Sequence, residues 1–416
     1  MSTQLRTQIS LALLRPCVKD CFHTLFILLA FPVLADDTTL IQRLATGSVE
    51  EKDAARQTLL ATATPASIPQ LSAQLANPET FDTACFLLES LHHPDADAAL
   101  LAALDRTSGR EQAELLYTLA RRASAAAEKQ AVACLSRAEP VRSAALRYLG
   151  AIATPGALTA LAALPADAAA AASTLLAADT LAARKDLKRA TVLYTQLYRS
   201  ALPDHIRLAA LAGLVKNDPD NLTAWLTEGL GQASPVWRGT VARLAAELPS
   251  RDLKKQGNKL MAALPSEGRL ALVNALVNAK NRDGAALLRS AIDKNGEPAL
   301  RLAAAAGLGD LGTADDAPAL IALLGHADPA LADAARMSLI KLADPKTDVS
   351  VVRALRKCDG DAACRARLIS VATFRKISDA APHLLSYLAD TDAAVRTAAF
   401  QAVSYTHLTL PTIYSV

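Results

Sequence analysis

Aromatic residues are scarce, at 4% of 416 positions, and the patterns that mark β-strands are nearly missing. No sustained alternation of Val, Ile and Thr occurs, and no Asn-Gly or Asp-Gly turn joins two apolar runs, so hairpins and sheets are excluded as organising elements. Charge of one sign is also lacking. The formal charge is +3, but Arg6, Arg15, Lys19 and Asp20 supply +2 of it, and the remaining +1 gives no electrostatic footprint for nucleic acid. Basic clusters at Arg184, Lys185, Lys188 and Arg189, and at Arg251, Lys254 and Lys255, read as solvated helix faces.

Catalytic signatures are missing as well. There is no His-Glu-x-x-His, no phosphate-binding Gly-x-x-x-x-Gly-Lys and no Gly-x-Ser-x-Gly, so no catalytic, metal or cofactor residue is assigned and no enzyme activity is expected. Gly307, Gly309 and Gly312 match a nucleotide fingerprint only in part, and they end a helix instead of following a strand. The acidic pairs Asp218/Asp220, Asp315/Asp316 and Asp359/Asp361 read as helix caps in the absence of a calcium-loop signature. Four cysteines lie beyond residue 35. Cys85 and Cys134 fall in apolar stripes and read as small core residues. Cys358 and Cys364 could close a small disulfide across an inter-helix turn in an oxidising compartment. Trp225 and Trp237 belong to consecutive helices and read as core packing, with a binding hot spot as the competing role.

What the chain does have is alanine, leucine and a period. Arg110, Arg142, Arg207, Arg238, Arg269, Arg301, Arg365 and Arg396 stand on a lattice of about 31 to 32 residues, a spacing typical of helical repeats. The two slots without arginine fall near Ala172 and at Asp333. Four residues after the lattice positions come Leu146, Leu211, Ala242, Val273, Ala305, Met337, Ile369 and Phe400, and seven after come Leu149, Leu214, Leu276, Leu308, Ile340 and Val403. That spacing predicts the buried stripe of one helix per period, with room for a second. The expected fold class is all-α, an α-solenoid of stacked antiparallel helix pairs forming one elongated body. Punctuation by proline and Asp/Ser/Thr marks pairs such as Pro155–Leu164 with Asp167–Arg184, Asn221–Leu230 with Pro235–Leu248, and Ala317–Leu324 with Pro329–Leu342.

The segment Asp316-Ala317-Pro318-Ala319-Leu320-Ile321-Ala322-Leu323-Leu324 resembles the first helix of a HEAT repeat, and Ala380 to Asp390 repeats it two periods on. Asp392-Ala393-Ala394-Val395-Arg396, Ser234-Pro235-Val236-Trp237-Arg238 and Glu139-Pro140-Val141-Arg142 are similar to the opening of that family's second helix. The short period resembles the bacterial, bilin-lyase-like variety, and the resemblance covers residues 36–402, with 177–200 looking like a tetratricopeptide helix pair. It implies that the lattice arginines are structural, pairing with carboxylates such as Asp82, Asp204, Asp328, Asp361 or Asp392 and holding the stack in register.

Both ends of the chain depart from the repeats. Residues 1–35 have a basic start and the apolar run His23 to Ala35, with Val33 and Ala35 before Asp36, the pattern of a cleaved secretory signal. The apolar run is shorter than the roughly 20 residues of a spanning helix, so no stable membrane insertion is expected after cleavage. Residues 403–416 resemble a translated sequencing adapter, so the natural chain is expected to continue past Ala402. The functional expectation is a secreted or periplasmic, non-catalytic scaffold that binds a protein partner along a solenoid face. The alternatives are the accessory array of a larger exported enzyme, with a c-type haem or sugar-hydrolase-like domain, and a bilin-lyase-like protein handling a tetrapyrrole.

Overall fold

The computed structural model describes residues 36–165, 167–293, 296–357 and 361–407. The signal-like segment, the last nine residues and Cys358 lie outside the described residues. Among the described residues the regular structure is helical throughout, with 24 α-helices and no strand. The chain divides between Ala99 and Leu100 into two compact units.

The first unit holds α1 (Asp37–Thr46), α2 (Val49–Thr62), α3 (Ile68–Gln74) and α4 (Phe81–Ser90), and the division falls inside α5 (Pro94–Leu104). Helix α1 packs on α2 and α3 on α4, and the pairs stack through α1 on α3 and α2 on α4. Ser48 caps α2 with a reciprocal box to Glu51, and Asp36 accepts the Thr39 N–H at 2.9 Å to cap α1. Such caps satisfy N–H groups that have no partner within the helix, each contributing about 1 kcal/mol.

The second unit continues with α6 (Gly109–Arg121), α7 (Glu128–Cys134), α8 (Val141–Ile152), α9 (Pro155–Ala162), α10 (Ala168–Ala183), α11 (Leu187–Arg199), α12 (Asp204–Asn217) and α13 (Leu222–Leu230). Then come α14 (Pro235–Ala246), α15 (Ser250–Ala263), α16 (Ser266–Asn278), α17 (Ala285–Ala291), α18 (Pro298–Leu311) and α19 (Ala317–Leu323). It closes with α20 (Pro329–Lys341), α21 (Lys346–Lys357), α22 (Ala362–Phe374), α23 (Ala381–Ser386) and α24 (Ala393–His407). Each even-numbered helix from α8 to α22 packs on the even helices before and after it, and the odd helices line a second layer. This is the α-solenoid arrangement of antiparallel pairs.

Small residues set how closely the even layer packs. Ala304, Ala305 and Leu308 of α18 are buried with Ala332, Ala335 and Leu339 of α20. A Cβ at Gly309 would sit 2.8 Å from the Ser338 Cα, so only glycine permits this approach. The buried Ser338 hydroxyl donates to the Ala305 carbonyl at 2.7 Å, which satisfies that polar group within the seam.

The register differs from the sequence expectation in α20. The buried set Leu300, Arg301, Ala304, Gly307 and Leu308 recurs 31 residues later as Leu331, Ala332, Ala335, Ser338 and Leu339. Ala332, not Asp333, therefore occupies the lattice slot. Met337 turns outward at 46% exposure and Ile340 is half-buried. Phe400 departs for another reason. Its counterpart Ile369 is fully buried on α22, which is followed by α24, whereas Phe400 lies on the last described helix and is 66% exposed.

The 177–200 segment becomes the second half of α10, a turn at Lys185, and α11. Helix α11 packs along both α10 and α12. Toward α9 it leaves a cleft lined by Leu158, Leu161, Leu193 and Leu197. The irregular repeat is thus a local opening of the odd layer.

Four even helices end alike. In α6, α10, α16 and α22 the residue after the C-cap is left-handed (Ala123, Lys185, Lys280 and Lys376, φ between 51° and 67°). The next N–H in each returns to a carbonyl five residues back: Ser124 to Leu119, Asp186 to Leu181, Asn281 to Leu276 and Ile377 to Ala372. Glycine is the residue that adopts this conformation without Cβ strain. Lys280→Gly is therefore expected to raise stability by about 1 kcal/mol, read as a higher urea midpoint with an unchanged slope. An unchanged or lowered midpoint would remove the strain assignment.

Candidate interaction surfaces

The lattice arginines all stand in the first turn of even helices, and their guanidinium groups mostly face backwards. Arg207 Nε donates to the Tyr198 carbonyl (3.2 Å), Arg238 to those of Gln232 (2.7 Å) and Ala233 (2.8 Å), and Arg269 to that of Leu264 (2.8 Å). Arg301 reaches the Ile292 carbonyl (3.4 Å), and Arg396 those of Asp390 (2.8 Å) and Thr391 (2.9 Å). Tyr198, Leu264 and Ile292 close the odd helix of the same pair, and the other acceptors lie in the turn that follows it. The arginine neutralises carbonyls that the helix itself leaves without donors.

Three of the eight also reach forward by 25 residues. Arg142 pairs with Asp167 at 2.8 Å, Arg365 with Asp390 at 3.0 Å, and Arg301 meets His326 Nε2 at 3.2 Å. Arg110 stands at the exposed start of α6. Of the carboxylates expected as partners, Asp204 meets Arg207 at 3.2 Å, and Asp82 lies in the first turn of α4. Asp328, Asp361 and Asp392 instead accept backbone N–H groups of the helices they precede. The free N–H groups of a helix start are the nearer and more numerous donors.

Register between repeats is held in the odd layer by polar rungs that the sequence reading did not find. In the first unit Asp37 accepts from Ser67, and Gln70 donates to Thr38 at 3.0 Å. In the second, Thr154 of the turn before α9 donates to Glu128 of α7 (2.7 Å), and Arg199 of α11 grips both carboxylate oxygens of Glu228 on α13, one at 2.8 Å. Thr223 donates to Gln256 (2.7 Å), Lys254 and Ser250 converge on Asp283, and Arg289 binds the fully buried Asp316. Arg375 carries the most. It meets Asp348 at 2.5 Å and donates to the Leu339 (2.9 Å), Ile340 (3.3 Å) and Leu342 carbonyls that end α20.

Several carboxylates in these contacts titrate low. Asp167 is held below the usual carboxylate range first by the Ala170 N–H and then by Arg142; Asp390 by the Asp392 N–H and then Arg365; Asp283 by the Ser250 hydroxyl and then Lys254. A folded pKa below the unfolded value of about 3.9 gives stability that is complete above that value and is lost as pH falls through the folded pKa. Stability is therefore expected to stay level from neutral pH to about pH 5 and to decline below about pH 4. Asp390→Asn should flatten part of that acid limb in a pH series of urea midpoints, and an acid limb identical to wild type would contradict the assignment.

The two tryptophans are joined through Tyr198, whose ring centroid lies 5.9 Å from Trp225 and 6.3 Å from Trp237. Arg207 lies over buried Trp237 at 5.0 Å, and Arg199 over Trp225 at 5.7 Å. Burial, and then Glu228, push the Tyr198 hydroxyl up to about 12, so it stays protonated at any working pH. Burial likewise raises the Cys134 thiol, which suits an inert core residue. Cys85 is buried in α4 and Cys364 sits half-exposed in the first turn of α22. The proposed bridge to Cys364 falls on Cys358, outside the described residues.

Open surface is concentrated in shallow grooves. Between α14 and α16 a groove of about 490 Å³ is lined by Gly239, Ala242, Arg243, Ala271, Asn274 and Asn278. Another, of about 460 Å³, lies between α10 and α12 over Tyr194, bordered by Asp179, Lys185 and Lys216. Among the described residues no group of three or more His, Cys, Asp or Glu side chains is placed to hold a metal ion, and no helix is long and apolar enough to cross a membrane.

With this geometry in place, comparison with known proteins is specific for the repeat. Residues 253–340, which run from α15 into α20, match the family described as HEAT repeats. The chain is an α-solenoid that carries HEAT repeats in this stretch. No curated protein sequence matches it. Similar solved structures include that of Kap95p with RanGDP, at 12% identity and a TM-score of 0.42, aligned over 92% of this chain and 62% of that one. Kap121p aligns at 13% identity and a TM-score of 0.31 over 91% of this chain and 46% of its own length. Human deoxyhypusine hydroxylase in complex with glycerol aligns at 18% identity and 0.27 over 82% and 96%. The chain thus spans about three fifths of the Kap95p-structure chain, and at these identities the likeness is one of fold.

Proposed function

We propose that this chain is a non-catalytic scaffold that binds a protein partner on the even-helix layer and works outside the cytoplasm, either secreted or in the periplasm. The observation that carries the binding role is the pair of open grooves between α10 and α12 and between α14 and α16, bordered by small residues on helices held rigid by capping arginines and odd-layer rungs. A surface whose geometry is fixed before binding loses little conformational entropy on association. The exposed apolar side chains Leu302, Met337 and Phe374 on later even helices supply further anchoring area. Export rests on the His23–Ala35 pattern ahead of Asp36.

The binding role is tested by crosslinking in native extract with wild type and with Ala271→Glu/Asn278→Glu, which fills and charges the α14–α16 groove. A discrete crosslinked partner that is lost from the variant, with far-UV circular dichroism unchanged, is the expected result. No partner with either protein, or equal capture by both, rejects the even-layer surface. Export is tested by the mass of the chain recovered from its native source, where a start at Asp36 is expected and retention of residues 1–35 contradicts it.

A further inference from the structure

A third groove, of about 790 Å³, lies in the odd layer between α21 and the start of α23, and it gathers three cations in one lining. One wall carries Arg353 and Arg356, a single turn apart on α21; the other carries Lys376, at the left-handed end of α22. The rest of the lining mixes the apolar Pro345, Val349, Val352, Ile377 and Pro382 with Asp348, Ser378 and Asp379. Val349, in the first turn of α21, is 59% exposed there.

The cations lining this groove are little used within the chain. Arg142, Arg199, Arg289, Arg365 and Arg375 all grip carboxylates. The side chains of Arg353 and Lys376 make no hydrogen bond or ion pair to any described residue, and the Arg356 guanidinium spends only its Nε, on His383 at 3.1 Å. Of the two carboxylates in the groove, Asp348 is taken by Arg375, so Asp379 alone opposes three cations.

We infer that this groove docks an acidic, extended segment of a protein partner, with carboxylates on Arg353, Arg356 and Lys376 and small apolar side chains on the strip between them. A chain of alternating acidic and apolar residues matches cations on opposite walls with an apolar lining between, whereas a small free anion would use only the charges. Electrostatic complementarity of this kind sets choice of partner and speed of encounter. The inference deepens the scaffold reading and rests on it, but it places a second contact on the opposite layer.

The experiment measures fluorescence anisotropy of labelled peptide Glu-Glu-Val-Glu-Glu-Leu-Glu, and of its lysine counterpart, with the full chain. Wild type is expected to bind the acidic peptide and not the basic one, with affinity falling several-fold between about 50 mM and about 300 mM salt. Arg353→Glu/Lys376→Glu should lose at least about tenfold in affinity, and Arg353→Gln less, with circular dichroism unchanged. Equal binding by wild type and the charge-reversed variant overturns the inference, as does complete displacement by inorganic phosphate at an ionic strength held constant with sodium chloride, which would mark a small-anion site. A partner lost from the Ala271→Glu/Asn278→Glu variant while the acidic peptide binds no better to wild type than to the charge-reversed variant would reject this groove and leave the scaffold standing.

Discussion

Gly213→Ala is expected to destabilise the second unit by about 3 kcal/mol, the upper range for overpacking a core, although alanine is the better helix former. Gly213 lies inside α12, and a Cβ there would meet the Tyr194 ring at 2.4 to 2.6 Å. The ring cannot swing aside, because Tyr194 is almost fully buried and its hydroxyl donates to Asp179 at 2.6 Å. Burial, and then that hydrogen bond, raise the Tyr194 pKa, so the phenol is a committed donor. Gly239 provides the control, since nothing lies within 4 Å of a Cβ built there. Gly239→Ala should gain up to about 1 kcal/mol from helix propensity alone. Urea unfolding followed at 222 nm separates the two, and similar midpoints for both variants would refute the close-approach account.

Arg375→Met is expected to cost about 3 kcal/mol, because it leaves the Asp348 carboxylate and three carbonyls of α20 without their donor. The side chain is only 8% exposed, so solvent cannot replace it without opening the joint between α20 and α22. Arg375→Lys should recover less than half of the loss, since one ammonium cannot reproduce a planar fork spread over a carboxylate and several carbonyls. The thermal midpoint is the readout. Full rescue by lysine would show that charge alone matters, and no loss in the methionine variant would show that the network adds nothing net.

The period and the pair boundaries were legible in the sequence because their causes are local. Pro155, Pro235, Pro298 and Pro329 open helices where their missing N–H does no harm, and the alanine and leucine stripe follows from one helix per 31 residues. Helices α1, α2, α21 and α22 were not marked in that way. None begins with proline, and α2 buries only Ala55 and Leu59. The structural role of the arginines was read from the HEAT resemblance, but most of their partners were not, because a backbone carbonyl carries no letter in the sequence. The rungs were hidden for a related reason. Thr223 with Gln256, or Thr154 with Glu128, become partners only once the stacking offset is known. The odd-layer groove was missed because Arg353 lies on α21 and Lys376 in the turn after α22, too far apart in sequence to read as a cluster.

The rungs also bear on how such a chain avoids closing on the wrong neighbour. Faces built of alanine and leucine are nearly interchangeable, so a repeat could collapse onto the next but one, a recurrent misassembly in repeat proteins. The odd-layer partners differ from joint to joint. Buried Leu222 and Leu226 of α13 correspond to Leu253 and Gly257 of α15, which places Lys259 where Glu228 stands one repeat earlier. Were α11 to skip α13 and settle on α15, Arg199 would face this lysine in place of the carboxylate it grips in the native stack. The sequence of stacking is thereby encoded in charge at positions that the apolar repeat leaves free to vary.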